Sequence, residues 1–567
     1  MANTIQETKA QRVERLKREK HPWEGLDEIR RFAREGFSSI PPEWIGTYFR
    51  WWGVYTQGDG AGVLGGKGGE GKALPYFMVR IRIPNGILNS TQLRTIADLT
   101  QHYARGIADL TVRQNIQLHW ISIEALPEVL EALGRVGLNT LGACGDVTRN
   151  ITGCPLAGID ADEICDASPV ALQINQHLMG NAEFYNLPRK FKISITGCRV
   201  WCAYPEINDI GLTAVTREHR GRPETGFSLR VGGGLSAEPY FATRLDAFVQ
   251  QHQALPVVTG IAEIFRDAEQ LREHRERARL KFLFMRHHWT ADDFLLALQE
   301  RIGFALDPAA PEYPPDDVYR DHVGIHPQKQ AGLNYVGAAV LRGRINPEQM
   351  RAAADLSDRF ADGHLRTTAM QNLVIVNVPA PQSDALAKEL DAIGLRVGGS
   401  AFWRGAIACS GTEFCKLAIT ETKSFSRWLV EELEERLPGF DQDLKLHVTG
   451  CPNSCGQHWI ADIGIEGKKI RHDGRLVDAY YFCLGGAVGL NQGFARPVGF
   501  RCPASEVPDA IERLLRRYLE DRYYGENLRQ FFSRHSNDTL REFLAGSLVE
   551  AVARDLSPGR VPHGLEG

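Results

Sequence analysis

Four cysteines in the C-terminal half are spaced for metal–sulfur chemistry. Cys409 and Cys415 form a C-x5-C pair ("CSGTEFC"), and Cys451 and Cys455 form a C-x3-C pair ("CPNSC"). Four thiolates from two turns suit one [4Fe–4S] cluster, which is typically held by cysteine thiolates. Gly450, Pro452 and Gly456 permit the tight turns that aim thiolates at one point. A structural zinc site and four unrelated thiols are the alternatives. The C-x5-C spacing counts against zinc, which favours two to four intervening residues.

A second set of residues is cationic. "YFMVRIRIP" alternates, with Phe77, Val79, Ile81 and Ile83 on one face and Met78, Arg80 and Arg82 on the other. "LTVRQNIQLHW" places Thr111, Arg113, Asn115, Gln117 and His119 opposite Leu110, Val112, Ile116, Leu118 and Trp120. "RKFKISIT" sets Lys190 and Lys192 against Phe191, Ile193 and Ile195. One polar strand face is ordinarily just solvated. Three such strands, all bearing cations, point to a lined cavity.

These residues sit in a duplicated chain. Residues 86–138 align with 343–395 at a constant offset of 257, so that Asn89 meets Asn346, Gln92 meets Gln349 and Gln114-Asn115 meets Gln371-Asn372. At an offset of 253, "ITGCRVWC" meets "VTGCPNSC" and "INDIG" meets "IADIG". Two copies suggest one duplicated unit with a cleft between its halves, where ligands often bind. The copies have diverged: Arg80, Arg113, Gln117 and His119 become Gly337, Met370, Val374 and Val376. Copy one keeps cations, and copy two carries the cysteines. Copy one has Cys198 and Cys202 at the C-x3-C position and Cys154 near the other, but Asp160 stands where a fourth thiol is needed, so no second cluster is expected. Cys144, Cys165, Cys483 and Cys502 read as isolated thiols.

The 567 residues carry a net charge of -4, with 43% hydrophobic and 24% charged residues. That composition is globular and excludes a mostly disordered chain. The near-neutral balance argues against general nucleic-acid binding. No apolar run reaches a membrane span, and the charged N-terminus lacks a secretory core, so a cytoplasmic protein with reduced thiols is expected. Residues 7–34 read as surface helices. The glycine-rich residues 58–71 contain Gly66-Lys67, but Ala61 and Gly68 break the phosphate-loop pattern, leaving a surface loop.

"ACSGTEFCKLAITETK" with "TGCPNSCGQHWIADIG" resembles the sirohaem-containing nitrite and sulfite reductases. The likeness extends over "FMVRIRIPNG", "VRQNIQLHW", "GDVTRNITGCPLAGID" and "LPRKFK", and includes the duplication. It implies an α+β fold of pseudo-twofold halves with mixed sheets and helices, the cofactors lying in the cleft between them. The expected division is an N-terminal region at 1–75, a ferredoxin-like half-repeat at 76–145, a sirohaem-type domain at 146–325, a second half-repeat at 326–400 and a second domain, carrying the cluster, at 401–567. The resemblance implies that Cys409, Cys415, Cys451 and Cys455 hold the cluster, with Cys455 bridging to the sirohaem iron. It places the substrate anion on Arg80, Arg149, Lys190 and Lys192, and the sirohaem carboxylates on Arg82, Arg113 and Gln117. A concentrated cation set is what small anions beside a polycarboxylate ring require.

No Gly-x-Gly-x-x-Gly follows an apolar strand, so electrons are expected from another protein, ferredoxin or else a flavoprotein subunit. A basic patch on the N-terminal helices, Arg12, Arg15, Lys17 and Arg18, is a candidate dock for an acidic donor. For the substrate, "GCPLAGIDADEI", "ITETK" and Gln457 resemble the nitrite enzymes, whereas Lys192 resembles the sulfite enzymes. Nitrite reduction to ammonia is the reading taken, with sulfite to sulfide as the alternative. A haem-free iron–sulfur protein is the reading from another class. Tyr55 and Cys144 flank the cavity-building segments and are expected to meet, if at all, at its edge.

Overall fold

The fold is taken from a computed structural model that describes residues 7–62, 71–316 and 321–546. Gly66 and Lys67 of the glycine-rich stretch lie outside the described residues. Among the described residues the chain forms four five-stranded sheets that come in two matched pairs, with helices packed against them.

The first pair belongs to the half-repeats. One sheet orders Val54–Gly58, Ala73–Ile81, Ile116–Ile121, Ala108–Leu110 and Arg344–Ile345; its counterpart orders Gly324–Pro327, Leu333–Ala338, Leu373–Pro379, His364–Thr367 and Ile87–Asn89. The last strand of each comes from the other copy: Arg344 pairs with Asp109, and Leu365 pairs with Leu88. This exchange joins the two half-repeats into one body with a single apolar core. The residues that repeat in sequence do matched structural work. Asn89 and Asn346 cap helices Ser90–Tyr103 and Pro347–Phe360, each in a capping box with Gln92 or Gln349. Gln114 Nε2 donates to Thr367 O at 3.0 Å while Gln371 Nε2 donates to Leu110 O at 2.9 Å, reciprocal bonds across the pseudo-twofold axis.

The second pair carries the chemistry. Strands Thr152–Gly153, Ile193–Thr196 and Ile210–His219 run parallel, and Arg222–Val231 and Thr243–Gln250 continue antiparallel. Ala406–Ala408, Leu446–Thr449, Ile463–His472, Arg475–Leu484 and Arg496–Pro503 repeat that order and those directions. Each of these domains has its own core. In parallel sheets, ligand-binding residues gather on the loops at the strands' carboxyl ends, and that is where both cysteine turns lie.

The N-terminal helices differ from expectation. Lys17 is only 4% exposed, donates to Leu187 O at 2.7 Å and sits 2.6 Å from Glu14 and 3.7 Å from Asp146. It is an interior residue, because helix Lys9–Glu19 turns this face onto the first domain, and so it cannot meet a donor protein. Arg12, Arg15 and Arg18 stay exposed but pair with Glu43, with Glu7 and Glu19, and with Glu269.

Candidate active site

The cluster cysteines converge. Cys409 follows strand Ala406–Ala408, helix Gly411–Phe414 delivers Cys415, and the turn after Leu446–Thr449 carries Cys451 and Cys455. Burial first, and then the charges of Cys455, Cys409 and Cys415, push the Cys451 thiol well up; burial, and then Cys455 and Cys409, raise Cys415 to about 12. Thiols that disfavour one another's ionisation this way stand close together, and a bound cation would reverse that penalty. Gly450 N–H donates to Cys409 Sγ at 3.3 Å and Asn453 Nδ2 to Cys451 Sγ at 3.5 Å, the kind of bond that tunes a cluster's potential. A Cβ on Gly456 would lie 2.4 Å from Val448 O, so the turn needs glycine there. Beneath it the buried His447 donates from Nδ1 to Gln457 O at 3.2 Å. Three of the cysteines are buried or half-buried, and Cys455 is the exposed one.

The first half-repeat grips this turn with its polar face. Arg80 donates to Gln117 Oε1 from Nε at 2.9 Å and from Nη2 at 2.7 Å, and Gln117 Nε2 donates to Ser410 Oγ at 3.3 Å, next to Cys409. His119 stacks on Phe414 with ring centroids 3.6 Å apart and bonds Asp109 at 3.0 Å. Arg344 spans Asp109 and Glu413. Burial opposes the Arg80 charge, but Cys144, Tyr55, Cys455 and Cys415 outweigh it and raise the guanidinium. Arg80 Nη1 lies 3.2 Å from Cys144 Sγ, so Cys144 and Tyr55 both border this arginine.

The remaining cations come from the first domain. Arg149 N–H donates to Phe191 O and Phe191 N–H to Val147 O, so residues 147–149 run alongside 190–192. Phe191 points into the core, stacked on Phe265, which turns Lys190 and Lys192 to the opposite side. Arg149 donates to Gly145 O and Ala143 O. Burial, and then Arg279, lower Lys190 to about 7; Cys455 acts on it in the other direction. Burial, then Lys190, Arg113 and Arg279, hold Lys192 well down. Arg113 bonds Asn208 Oδ1 at 2.8 Å and the Asn150 carbonyl, and its buried Nε has no partner among the described residues. Arg80, Arg113, Lys190 and the cluster turn thus face one chamber, and this donor set suits a polyanionic ring beside a thiolate-held cluster.

Arg82 behaves differently. It is 1% exposed; Nε donates to Asn175 Oδ1 at 2.8 Å, and the two Nη atoms reach Leu141 O, Thr148 O and Arg149 O. Lying past the end of strand Ala73–Ile81, it is built into the wall and holds the backbone around Arg149. Sequence reasoning also missed Asp209 and Arg279. Asp209 accepts from the Lys192 N–H at 2.8 Å and pairs with Arg279 at 2.8 Å. Its signal was the repeat itself, because Asp462 accepts from Lys445 N–H at the matching place.

Comparison with known proteins agrees with this arrangement. The nitrite and sulphite reductase 4Fe-4S domain matches residues 144–306 and 399–549, and the nitrite/sulfite reductase ferredoxin-like half domain matches 70–136 and 326–393. An assimilatory ferredoxin-dependent nitrite reductase of Haloferax mediterranei is 38% identical, over 91% of this chain and 90% of its own. A ferredoxin sulfite reductase of Mycobacterium tuberculosis is 37% identical, over 93% and 95%. The solved structure of the Mycobacterium tuberculosis NirA protein superposes with a TM-score of 0.87 at 36% identity, covering 93% of this chain and 97% of that one. The chain therefore belongs to the nitrite and sulfite reductase family, as an oxidoreductase whose cofactors are a sirohaem and a [4Fe–4S] cluster.

Proposed function

We propose that this enzyme reduces nitrite to ammonia in the cytoplasm with six electrons taken one at a time from ferredoxin. The observation that carries the nitrite reading is Gln457, just past Cys455. This neutral side chain is buried, in a left-handed turn, with its amide oxygen unpartnered among the described residues. A neutral group there leaves the chamber one positive charge poorer than an arginine would. Nitrite bears one negative charge and sulfite up to two, so the weaker field favours nitrite.

When bound, the sirohaem supplies an iron for the anion and the cluster feeds it electrons singly. Cys409, Cys415, Cys451 and Cys455 hold the cluster, with Cys455 at the face turned to the chamber. Arg113 and Gln117 anchor the ring carboxylates, and Arg82 acts through the wall by fixing Arg149. Arg80 and Arg149 are fixed charges that hold the anion and stabilise oxygen-bound charge as N–O bonds break. Lys190, a cation that can shed its proton where the arginines cannot, is the donor. Lys192 is the second lysine of that pair.

Sulfite is the second reading, favoured by Lys192, a fourth basic side chain where a doubly charged anion gains most. Steady-state turnover of both anions by one anaerobic preparation, with reduced viologen as donor, tests the choice. A kcat/KM ratio above about tenfold for nitrite, roughly 1.4 kcal/mol of transition-state discrimination, supports the proposal. The same ratio for sulfite overturns it.

A further inference from the structure

The cysteines of copy one that fall one thiol short of a cluster nevertheless come together. Cys154 follows strand Thr152–Gly153 as Cys409 follows Ala406–Ala408, and Cys198 and Cys202 occupy the turn that carries Cys451 and Cys455 in copy two. Three of the four cluster positions thus survive. The fourth partner comes from elsewhere: His322, in the segment leading into strand Gly324–Pro327. Ligand atoms of Cys154, Cys202 and His322 lie within 4.8 Å of one another, and Cys198 Sγ is 3.4 Å from Cys202 Sγ. All four residues are buried.

We propose that Cys154, Cys198, Cys202 and His322 hold a single zinc ion in a closed, structural Cys3His site. The spacing decides between one ion and a cluster. Four ligands at about 2.3 Å from one tetrahedral ion stand about 3.8 Å apart. Thiolates on four separate irons must stand farther apart. Among the described residues the four cysteines of copy two are not within 4.8 Å of one another, whereas Cys154, Cys202 and His322 are, with Cys198 Sγ 3.4 Å from Cys202 Sγ. The C-x3-C spacing of Cys198 and Cys202 lies within the range zinc favours.

The surroundings are built for the site. Leu156, Tyr335, Val374 and Val376 pack around the cysteines and shut out water. Val374 stands where copy one has Gln117, and Gly337 where copy one has Arg80. A Cβ on Gly337 would lie 1.6 Å from His322 O, so losing the arginine is what lets His322 approach. His322 itself sits at φ 62°, a left-handed conformation that costs energy for a non-glycine residue. Its neighbour Asp321 is clamped by Arg404 at 2.6 and 3.0 Å. With four protein ligands no coordination position stays open, so the ion ties the first domain to the second half-repeat rather than binding substrate.

Metal analysis of the as-purified, full-length holoenzyme tests this. About one zinc per chain is expected beside the cofactor iron, with a zinc absorption edge fitted by three sulfurs and one nitrogen. Cys154→Ser and His322→Ala are expected to lose zinc while keeping the iron content and visible spectrum of the cofactors. Zinc bound through other ligands, zinc retained by both variants, or iron at this position overturns the proposal. So does a Cys198–Cys202 disulfide found without zinc. If neither variant folds, the absorption edge of the wild-type protein decides alone.

Discussion

The two cysteine turns of this protein occupy equivalent places in equivalent sheets, yet they face opposite surroundings. The copy-two turn is covered by the polar face of the first half-repeat, through Gln117 on Ser410 and His119 on Phe414. The copy-one turn is covered by the apolar face of the second half-repeat, Val374 and Val376. The cations follow the same division. Arg149 and Lys190 belong to the proposed anion site; their counterparts Arg404 and Asp443 lie near Asp321, and Arg404 is neutralised by it. One site of a symmetric ancestor kept the charge and exposed thiolate that redox chemistry on an anion needs. The other was dried and closed. A duplicated fold supplies two copies of every position, and function here depends on which copy kept the polar residue.

Several substitutions sharpen that contrast. Cys451→Ser should cost most. With one thiolate gone from the cluster, reduced-viologen turnover should fall by at least about 1,000-fold, together with loss of the cluster and sirohaem absorption. Full activity and an intact spectrum would remove Cys451 from the ligand set. Lys192→Asn should reduce kcat/KM for sulfite about tenfold more than for nitrite, roughly 1.4 kcal/mol of selective loss. Equal losses on the two anions would deny that lysine any part in discrimination.

The turns also differ in what ties them down. Copy two uses His447, and copy one uses Ser194, which donates to Ala203 O at 3.0 Å. Burial lowers His447 from 6.5 to about 3. The unfolded chain therefore binds a proton that the native one refuses. The contribution of this histidine is complete above pH 6.5 and falls as pH drops towards 3. The expected slope is about 1.4 kcal/mol per pH unit in that window. Denaturant unfolding between pH 7 and 5, wild type against His447→Gln, reads the difference, and identical slopes would count against a neutral buried imidazole. The smallest effect belongs to the pseudo-symmetric surface. Arg94 pairs with Asp355 at 2.7 Å and Arg351 with Asp98 at 2.9 Å. Each alanine variant should lose only about 0.5 kcal/mol, and the two losses should match. A large difference between them would mean the half-repeats are not held symmetrically.

Much of this was legible in the sequence. The offset of 257 marked the residues that cap the paired helices and cross the pseudo-twofold axis, because those contacts recur only if both copies keep them. Period-two alternation set Gln117 and His119 on one face of strand Ile116–Ile121, where both meet polar partners; Arg113, expected on the same strand, lies instead in the turn that joins it to Ala108–Leu110, because the segment folds back on itself there. Alternation could not tell which side of the wall Arg82 would enter, since strand Ala73–Ile81 ends before it and Arg82 bridges to Asn139 instead. Nor could it reveal that Lys17 is interior, because helical amphipathicity in a charged segment does not say which charges find buried partners. The exchanged strands Ile87–Asn89 and Arg344–Ile345 have three and two residues, too short for any periodicity. His322 carries no spacing signal, as it reaches the cysteines through tertiary packing alone.

The central claim is that the anion is held by cations of copy one and not by their counterparts in copy two. Lys190→Gln, and Lys445→Gln at the place that Lys192 holds in copy one, assayed side by side for nitrite reduction with reduced viologen, test it most directly. The account predicts a loss in kcat/KM of about 100-fold for Lys190→Gln and less than about threefold for Lys445→Gln. Equal losses, or a larger one at Lys445, would contradict it.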